Sequence, residues 1–112
     1  MSKTLIAATA KPMILSLLSR GESYGYRILT EVTELSAGTI DWSEALLYPV
    51  LHGLEKDGLV RSRWKMSEEK RMRKYYSLTD RGREELEIEK KRWLDIHGAF
   101  LRLWVPAEPL KG

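Results

Sequence analysis

Apolar positions fall into helical spacing three times in the first half of the chain. Ile14, Leu15, Leu17 and Leu18 form one apolar face, which predicts a helix over roughly Lys11–Arg20 with Gly21 as its stop. Pro12 is tolerated in a first turn, but should bend the helix if helix already precedes it. Tyr24, Ile28, Leu29, Val32 and Leu35 recur at three- and four-residue intervals, predicting a second helix over about Tyr24–Leu35, capped by Ser23. Ser36-Ala37-Gly38 ends it and Thr39-Ile40-Asp41-Trp42 connects onward. Ser43 then caps a third helix lasting to Asp57, with Leu47, Val50, Leu51 and Leu54 as its buried stripe. Pro49 removes one backbone bond inside it, and Gly58 suits the left-handed position beyond its end.

After Gly58 the period changes. Leu59–Trp64 and Lys74–Leu78 carry the β-branched and aromatic content of strands, separated by the polar stretch Met66–Met72. From Thr79 or Asp80 the helical period returns. Leu86, Trp93 and Phe100 recur every seven residues, Ile96 with Leu103 and His97 with Trp104 fill the turns between, and Pro106 and Pro109 close the helix. The expected fold is mainly α with a small β-hairpin. Residues 1–79 would form a winged helix-turn-helix, and residues 80–112 a long C-terminal dimerisation helix and tail.

Length and composition narrow the class. A chain of 112 residues holds one compact domain, or a small domain plus one long element. No apolar run approaches a membrane span, and the apolar N-terminal stretch is too short for a leader, broken by Lys11 and Pro12. The absence of cysteine excludes a disulfide framework, a thiolate metal site and a cysteine nucleophile, and suits a reducing cytoplasm. His52 and His97 sit in different helices without a partnered carboxylate or nucleophile, so neither an enzyme nor a cofactor or metal site is expected.

The net charge of +3 is uneven. Residues 1–57 carry 5 basic and 7 acidic side chains, residues 80–112 carry 7 of each, and residues 58–79 carry 7 basic against Glu68 and Glu69. The hairpin thus holds a net +5, the footprint of a phosphate-binding edge. On the third helix Ser43, Glu44, Leu46 and His52 face outward at the end that would enter a major groove. That set is thin for reading bases, so phosphate contacts and DNA shape should carry much of the binding. Tyr48 suits a phosphate contact and a core position equally, whereas Trp42 reads as a hydrophobic staple before the cap. In the wing Arg63, Lys65, Lys70, Arg71, Arg73 and Lys74 are the candidate backbone and minor-groove contacts. Strand alternation puts Arg61, Arg63 and Lys65 on one face, and Arg73 with Tyr75 on one face. The rival reading is a winged helix used only for protein–protein contact, which has no need of so concentrated a charge.

A helix from Asp80 to Trp104 would be about 37 Å long, more than a small body can cover. Its repeat of Leu86, Trp93, Ile96, Phe100, Leu103 and Trp104 would therefore pack on a second copy of the chain. Trp93, Ile96 and Phe100 with Ile14 would wall a flat apolar slot there, or make a plain dimer core.

These residues also resemble a known family. Leu47-Tyr48-Pro49, Leu51, Leu54-Glu55-Lys56-Asp57-Gly58-Leu59-Val60, then Arg73-Lys74-Tyr75-Tyr76, Leu78-Thr79 and Gly82, together with Ser23-Tyr24-Gly25-Tyr26, resemble the PadR family of bacterial transcriptional regulators over about residues 12–104. Glu44-Ala45, Trp64 and a single C-terminal helix carrying Trp93 are similar to its small, LmrR-like branch. The resemblance implies a homodimeric repressor of palindromic double-stranded DNA, located in the bacterial cytoplasm and on the nucleoid when bound. It also implies a central pore where Trp93 would stack planar aromatic or hydrophobic effectors. The chain departs from the family pattern at Leu46, at Gly53 and at the wing tip Ser67-Glu68-Glu69-Lys70-Arg71-Met72.

Overall fold

The structure, a computed structural model, describes residues 3–106. In order these form α1 (Lys3–Leu18), β1 (Ser23–Tyr24), α2 (Gly25–Leu35), α3 (Glu44–Lys56), β2 (Val60–Met66), β3 (Met72–Leu78) and α4 (Asp80–Trp104). The sheet is antiparallel in the order β1-β3-β2, so the hairpin gains a short third strand from the two residues that precede α2. This is the expected winged helix-turn-helix with a long last helix. Pro109 lies outside the described residues.

Three boundaries differ from the sequence expectation. α1 begins at Lys3 rather than near Lys11: Ala7, Ala8 and Ala10 are strong helix formers, and the helix continues through Pro12 despite the bond to the Ala8 carbonyl that proline cannot make and the crowding of its ring against that carbonyl. Ser23 does not cap α2. It is the first residue of β1, paired opposite Tyr76, and its hydroxyl instead accepts from Arg27 Nε at 3.0 Å. The α2 cap position falls to Tyr24, which makes no side-chain cap bond. The hairpin strands also run longer, to Met66 and from Met72, leaving a tip of only five residues.

The core lies between α1, α2, α3 and the sheet. Ile14, Leu15, Leu18, Ile28, Leu47, Leu51, Val60 and Tyr76 are essentially inaccessible to solvent. Trp42 and Leu47 both enter this core on either side of the Ser43 cap, as a hydrophobic staple does. Leu35, expected inward, is exposed at the end of α2.

Only the first turns of α4 belong to this body. Thr79 caps the helix, accepting from Gly82 N–H at 3.0 Å while its hydroxyl donates to the Gly58 carbonyl at 2.6 Å. Leu86 is 2% exposed and packs in the core of its own subunit. This corrects its placement in a dimer interface, because a side chain so enclosed has no surface left for a partner. Beyond Leu94 the helix runs out of the body. The radius of gyration is 17.2 Å, against about 13 Å for a compact chain of this length.

Candidate nucleic-acid interface

The start of α3 is presented outward by its cap. Ser43 Oγ accepts from Leu46 N–H at 3.2 Å, which fixes the first turn and leaves Glu44 exposed beside it. Leu46 is half-buried and packs against the core, so its expected outward role shrinks to what its exposed edge can touch. Tyr48 lies over Gly25: a β-carbon at position 25 would come 2.7 Å from the Tyr48 hydroxyl. The glycine of Ser23-Tyr24-Gly25-Tyr26 lets the ring cross the first turn of α2 in this position, and a β-carbon there would displace the tip of Tyr48. His52 is exposed one turn further along α3.

The wing has two chemically different faces. Pairing of Arg63 with Tyr75 and of Lys65 with Arg73 places Arg61, Arg63, Lys65, Arg73 and Tyr75 together, as strand alternation predicted. The part of this face nearest β1 packs toward the residues before α2, while Arg61 and Arg63 remain exposed. Arg63 Nη2 lies 3.3 Å from the Glu22 carboxylate, and Lys65 Nζ is hydrogen-bonded to the same group. Tyr24 meets Tyr75 edge-on at 5.3 Å, Arg73 stacks 4.3 Å over Tyr24, and Lys65 lies 4.4 Å over Tyr75. Lys74, on the other face, reaches Glu55 at 4.0 Å. Among the described residues Arg61, Lys70 and Arg71 carry no ion pair.

The tip folds on Ser67, which is buried. Its N–H donates to the Arg71 carbonyl at 2.8 Å, and its hydroxyl accepts from Arg71 N–H at 3.2 Å. Lys70 N–H returns to the Ser67 carbonyl at 2.9 Å, with Lys70 at φ 61°. The turn therefore throws Lys70 and Arg71 outward at the far end of the hairpin.

Between α3 and the second face of the wing lies an open cleft of about 400 Å³. Tyr26, Tyr48, His52 and Lys74 give it polar groups, and Trp64 and Met72 give it an apolar wall. Tyr76 closes its floor with a hydroxyl that is buried and has no hydrogen-bond partner among the described residues. Burial, with Glu55 and Tyr48 beside it, pushes that hydroxyl above its ordinary titration range and keeps it a neutral donor. Such a cleft suits a deoxyribose–phosphate strand: donors for phosphate oxygens and an apolar wall for the sugar. Sequence reading missed Tyr26 and Trp64. Trp64 is 64% exposed, and its alternation with Met66 on β2, opposite Lys74 and Met72, was the available signal.

A second concavity, of about 540 Å³, opens where α1 and the end of α2 meet α4. Met13, Leu17, Leu35, Ile40, Leu94 and Trp93 line it. The Trp93 indole N–H donates to the Glu89 carboxylate at 3.2 Å, and Glu89, itself buried, also faces Lys11 and Arg92. Ile14 is fully enclosed in the core and does not line this groove, which corrects its expected place in an effector slot; Met13 and Leu17 of the same helix do. Ile96 and Phe100 lie beyond the groove on exposed helix, where Phe100 stacks on Trp104 at 5.1 Å.

Among the described residues no group of three or more His, Asp or Glu could hold a metal ion, and no helix is long and apolar enough to cross a membrane. Residues 14–88 match the model of the transcriptional regulator PadR-like family. An uncharacterised protein of Lysinibacillus sphaericus is 30% identical over 84 residues, covering 75% of this chain and 77% of that protein. The transcriptional regulator YqjI of Escherichia coli strain K12 is 31% identical over 80 residues, 71% of this chain but only 37% of the longer relative. A PadR-like transcriptional regulator from Bacillus cereus strain ATCC 14579 superposes with a TM-score of 0.82 at 28% identity, covering 94% of this chain and 100% of that one. A transcriptional regulator from Clostridium thermocellum gives a TM-score of 0.79 at 28% identity, with 93% and 100% covered.

Proposed function

This chain belongs to the transcriptional regulator PadR-like family, and from that premise we propose that it works as a homodimeric repressor on a palindromic operator. Family membership makes it a DNA-binding regulator rather than an enzyme. The observation that carries the finer reading is the placement of unpaired charge. Lys70 and Arg71 at the wing tip and Arg61 on β2 are exposed and carry no ion pair among the described residues, and the cleft that runs to Tyr48 and His52 on α3 opens on the face of the hairpin opposite Arg61. Ser43, Glu44 and the exposed edge of Leu46 would enter the major groove. Tyr26, Tyr48, Lys74 and Trp64 would hold the adjoining backbone, and Lys70 and Arg71 would reach the neighbouring groove or its phosphates.

A two-fold dimer would present two such surfaces to two half-sites. Support for the dimer is the outer part of α4, where Ile96, Phe100, Leu103 and Trp104 leave the body exposed. Trp93 stands where the body groove meets that stripe, so a planar aromatic effector stacked there would be read by both subunits. The test is a mobility-shift titration with the DNA upstream of the protein's own gene, repeated with planar aromatic compounds. Specific retention that such a compound reverses, with Trp93→Ala abolishing the reversal, is the expected result. Retention no tighter than on arbitrary DNA would remove the operator reading. Retention that no compound alters would remove the effector.

A further inference from the structure

We propose that Glu22 serves as an internal stand-in for DNA phosphate, withholding Arg63 and Lys65 from the cations that the wing offers to a duplex. The inference rests on the DNA-binding reading above. It assigns to a residue outside both the recognition helix and the wing the control of affinity for DNA of any sequence.

The placement of Glu22 is built, not incidental. Its backbone carbonyl accepts from Arg27 Nη2 at 2.7 Å, and the next two residues are locked in the sheet, Ser23 opposite Tyr76 and Tyr24 opposite Tyr75. The carboxylate is thereby held over the face of β2 that carries residues 63 and 65. Both of its oxygens lie 3.3 Å from Arg63 Nη2, and Oε1 also receives Lys65 Nζ. One carboxylate therefore satisfies two cations from a strand more than forty residues away. The pair with Lys65 is the more enclosed, Glu22 being 27% and Lys65 37% exposed, whereas Arg63 at 68% stays largely in solvent and is held less firmly. The hydrogen bond from Lys65, aided by the charge of Arg63, holds the carboxyl below its ordinary range, so it is ionised throughout neutral conditions.

Affinity for DNA backbone scales with the number of cations that replace condensed counterions, at about 0.9 unit of salt slope per phosphate contact. A cation already matched to a carboxylate releases no counterion unless that pair opens. A phosphate brought up to it also meets the negative charge of Glu22 well within one Debye length. The formal +5 of the hairpin accordingly overstates what it presents. Lowering backbone affinity without touching α3 raises the ratio of specific to non-specific binding, which is the quantity a regulator needs.

The experiment measures binding of the full-length protein to a fluorescein-labelled duplex of arbitrary sequence, by anisotropy, across a salt series. Glu22→Gln is expected to bind several-fold more tightly and to steepen the slope of log K against log salt by about one to two units. Glu68→Gln removes the same charge from the exposed tip, where it has no ion pair among the described residues, and should leave the slope unchanged. Lys65→Gln should leave the slope unchanged in the native background and reduce it by about 0.9 unit in the Glu22→Gln background. If Glu22→Gln does not fold, Lys65→Gln in the native background decides alone. A loss of about 0.9 unit there overturns the proposal. An unchanged slope in Glu22→Gln, with native binding intact, likewise reduces Glu22 to a positioning role and leaves the DNA reading standing. Absence of binding by every variant, even at low salt, removes both.

Discussion

Gly82 lies against the carbonyl of Leu59 so closely that a β-carbon at position 82 would sit 2.0 Å from that oxygen. The approach joins two bonds that dock α4 on the hairpin: Thr79 N–H donates to the same Leu59 carbonyl at 3.1 Å, and Thr79 Oγ1 donates to Gly58. Alanine at 82 must push the start of α4 away from β2 and break this junction. Gly82→Ala should destabilise the protein by about 3 kcal/mol, despite alanine's better helix propensity. A fall in Tm of more than about 10 °C is expected. Gly53→Ala provides the contrast: nothing lies within 4 Å of a β-carbon there, so the same change in mid-α3 should stabilise by about 0.5–1 kcal/mol. Equal effects from the two substitutions would show that the contact at Leu59 is not what fixes glycine at 82.

Lys70 occupies the left-handed region at φ 61°, where a side chain is strained and glycine is not. Lys70→Gly should therefore raise unfolding stability by about 0.5 kcal/mol, the relief being partly offset by the greater freedom of the unfolded chain. The same variant should weaken binding to all DNA sequences and flatten the salt slope by about 0.9 unit. Opposite signs for stability and binding, measured by denaturant titration and anisotropy, would show that the wing tip accepts strain to place a cation. A variant that is both weaker in binding and less stable contradicts this.

Much of the fold was legible because its signals are local. The caps at Ser43 and Thr79, the left-handed Gly58 at φ 76°, and the change from helical to alternating period at Leu59 all act within a few residues. What escaped the sequence was non-local. Ser23-Tyr24 has nothing strand-like in its own neighbourhood and becomes β1 only because Tyr75 and Tyr76 stand opposite it. The same holds for the charge. Counting cations gave the hairpin its sign, but Glu22 and Glu55 reach Arg63, Lys65 and Lys74 across the fold, and no spacing rule announces such pairs. The seven-residue repeat of α4 was visible, yet its first member, Leu86, serves the subunit's own core while later members lie outside it. Periodicity marks a face and does not say where along the helix one neighbour gives way to another.

Acid should remove the stabilisation that Glu22 draws from its partners. Because its folded-state carboxyl titrates below the ordinary 4.5, the ion pairs with Lys65 and Arg63 stabilise the fold fully above that value. Their contribution is lost as pH falls through the depressed folded-state value. The Tm difference between the native protein and Glu22→Gln should therefore be largest near pH 6 and shrink toward pH 3. A difference that stays constant, or grows, over that window would mean the carboxylate gains nothing from its partners in the folded state.

Dimerisation can be weighed from the outer half of α4. Leu103 is 77% and Trp104 70% exposed, with Ile96 and Phe100 beside them. Burying each such side chain contributes about 1.5–3 kcal/mol. The four residues in two copies thus supply roughly 12–24 kcal/mol gross, against an association cost of about 4–15 kcal/mol. The gross gain exceeds that cost over most of the two ranges, which is the direction expected if the stripe is a dimer contact. Phe100→Glu places a charge in each copy of the stripe, and within the subunit Phe100 makes its ring contact only with Trp104 among the described residues. It should weaken association by at least about 4 kcal/mol, roughly a thousandfold. The body itself, whose core ends near Leu86, should be spared. Sedimentation velocity should show a dimer converted to a monomer, with an unchanged helical circular dichroism signal below the melting transition. A variant that remains dimeric would place the contact elsewhere than on the outer half of α4.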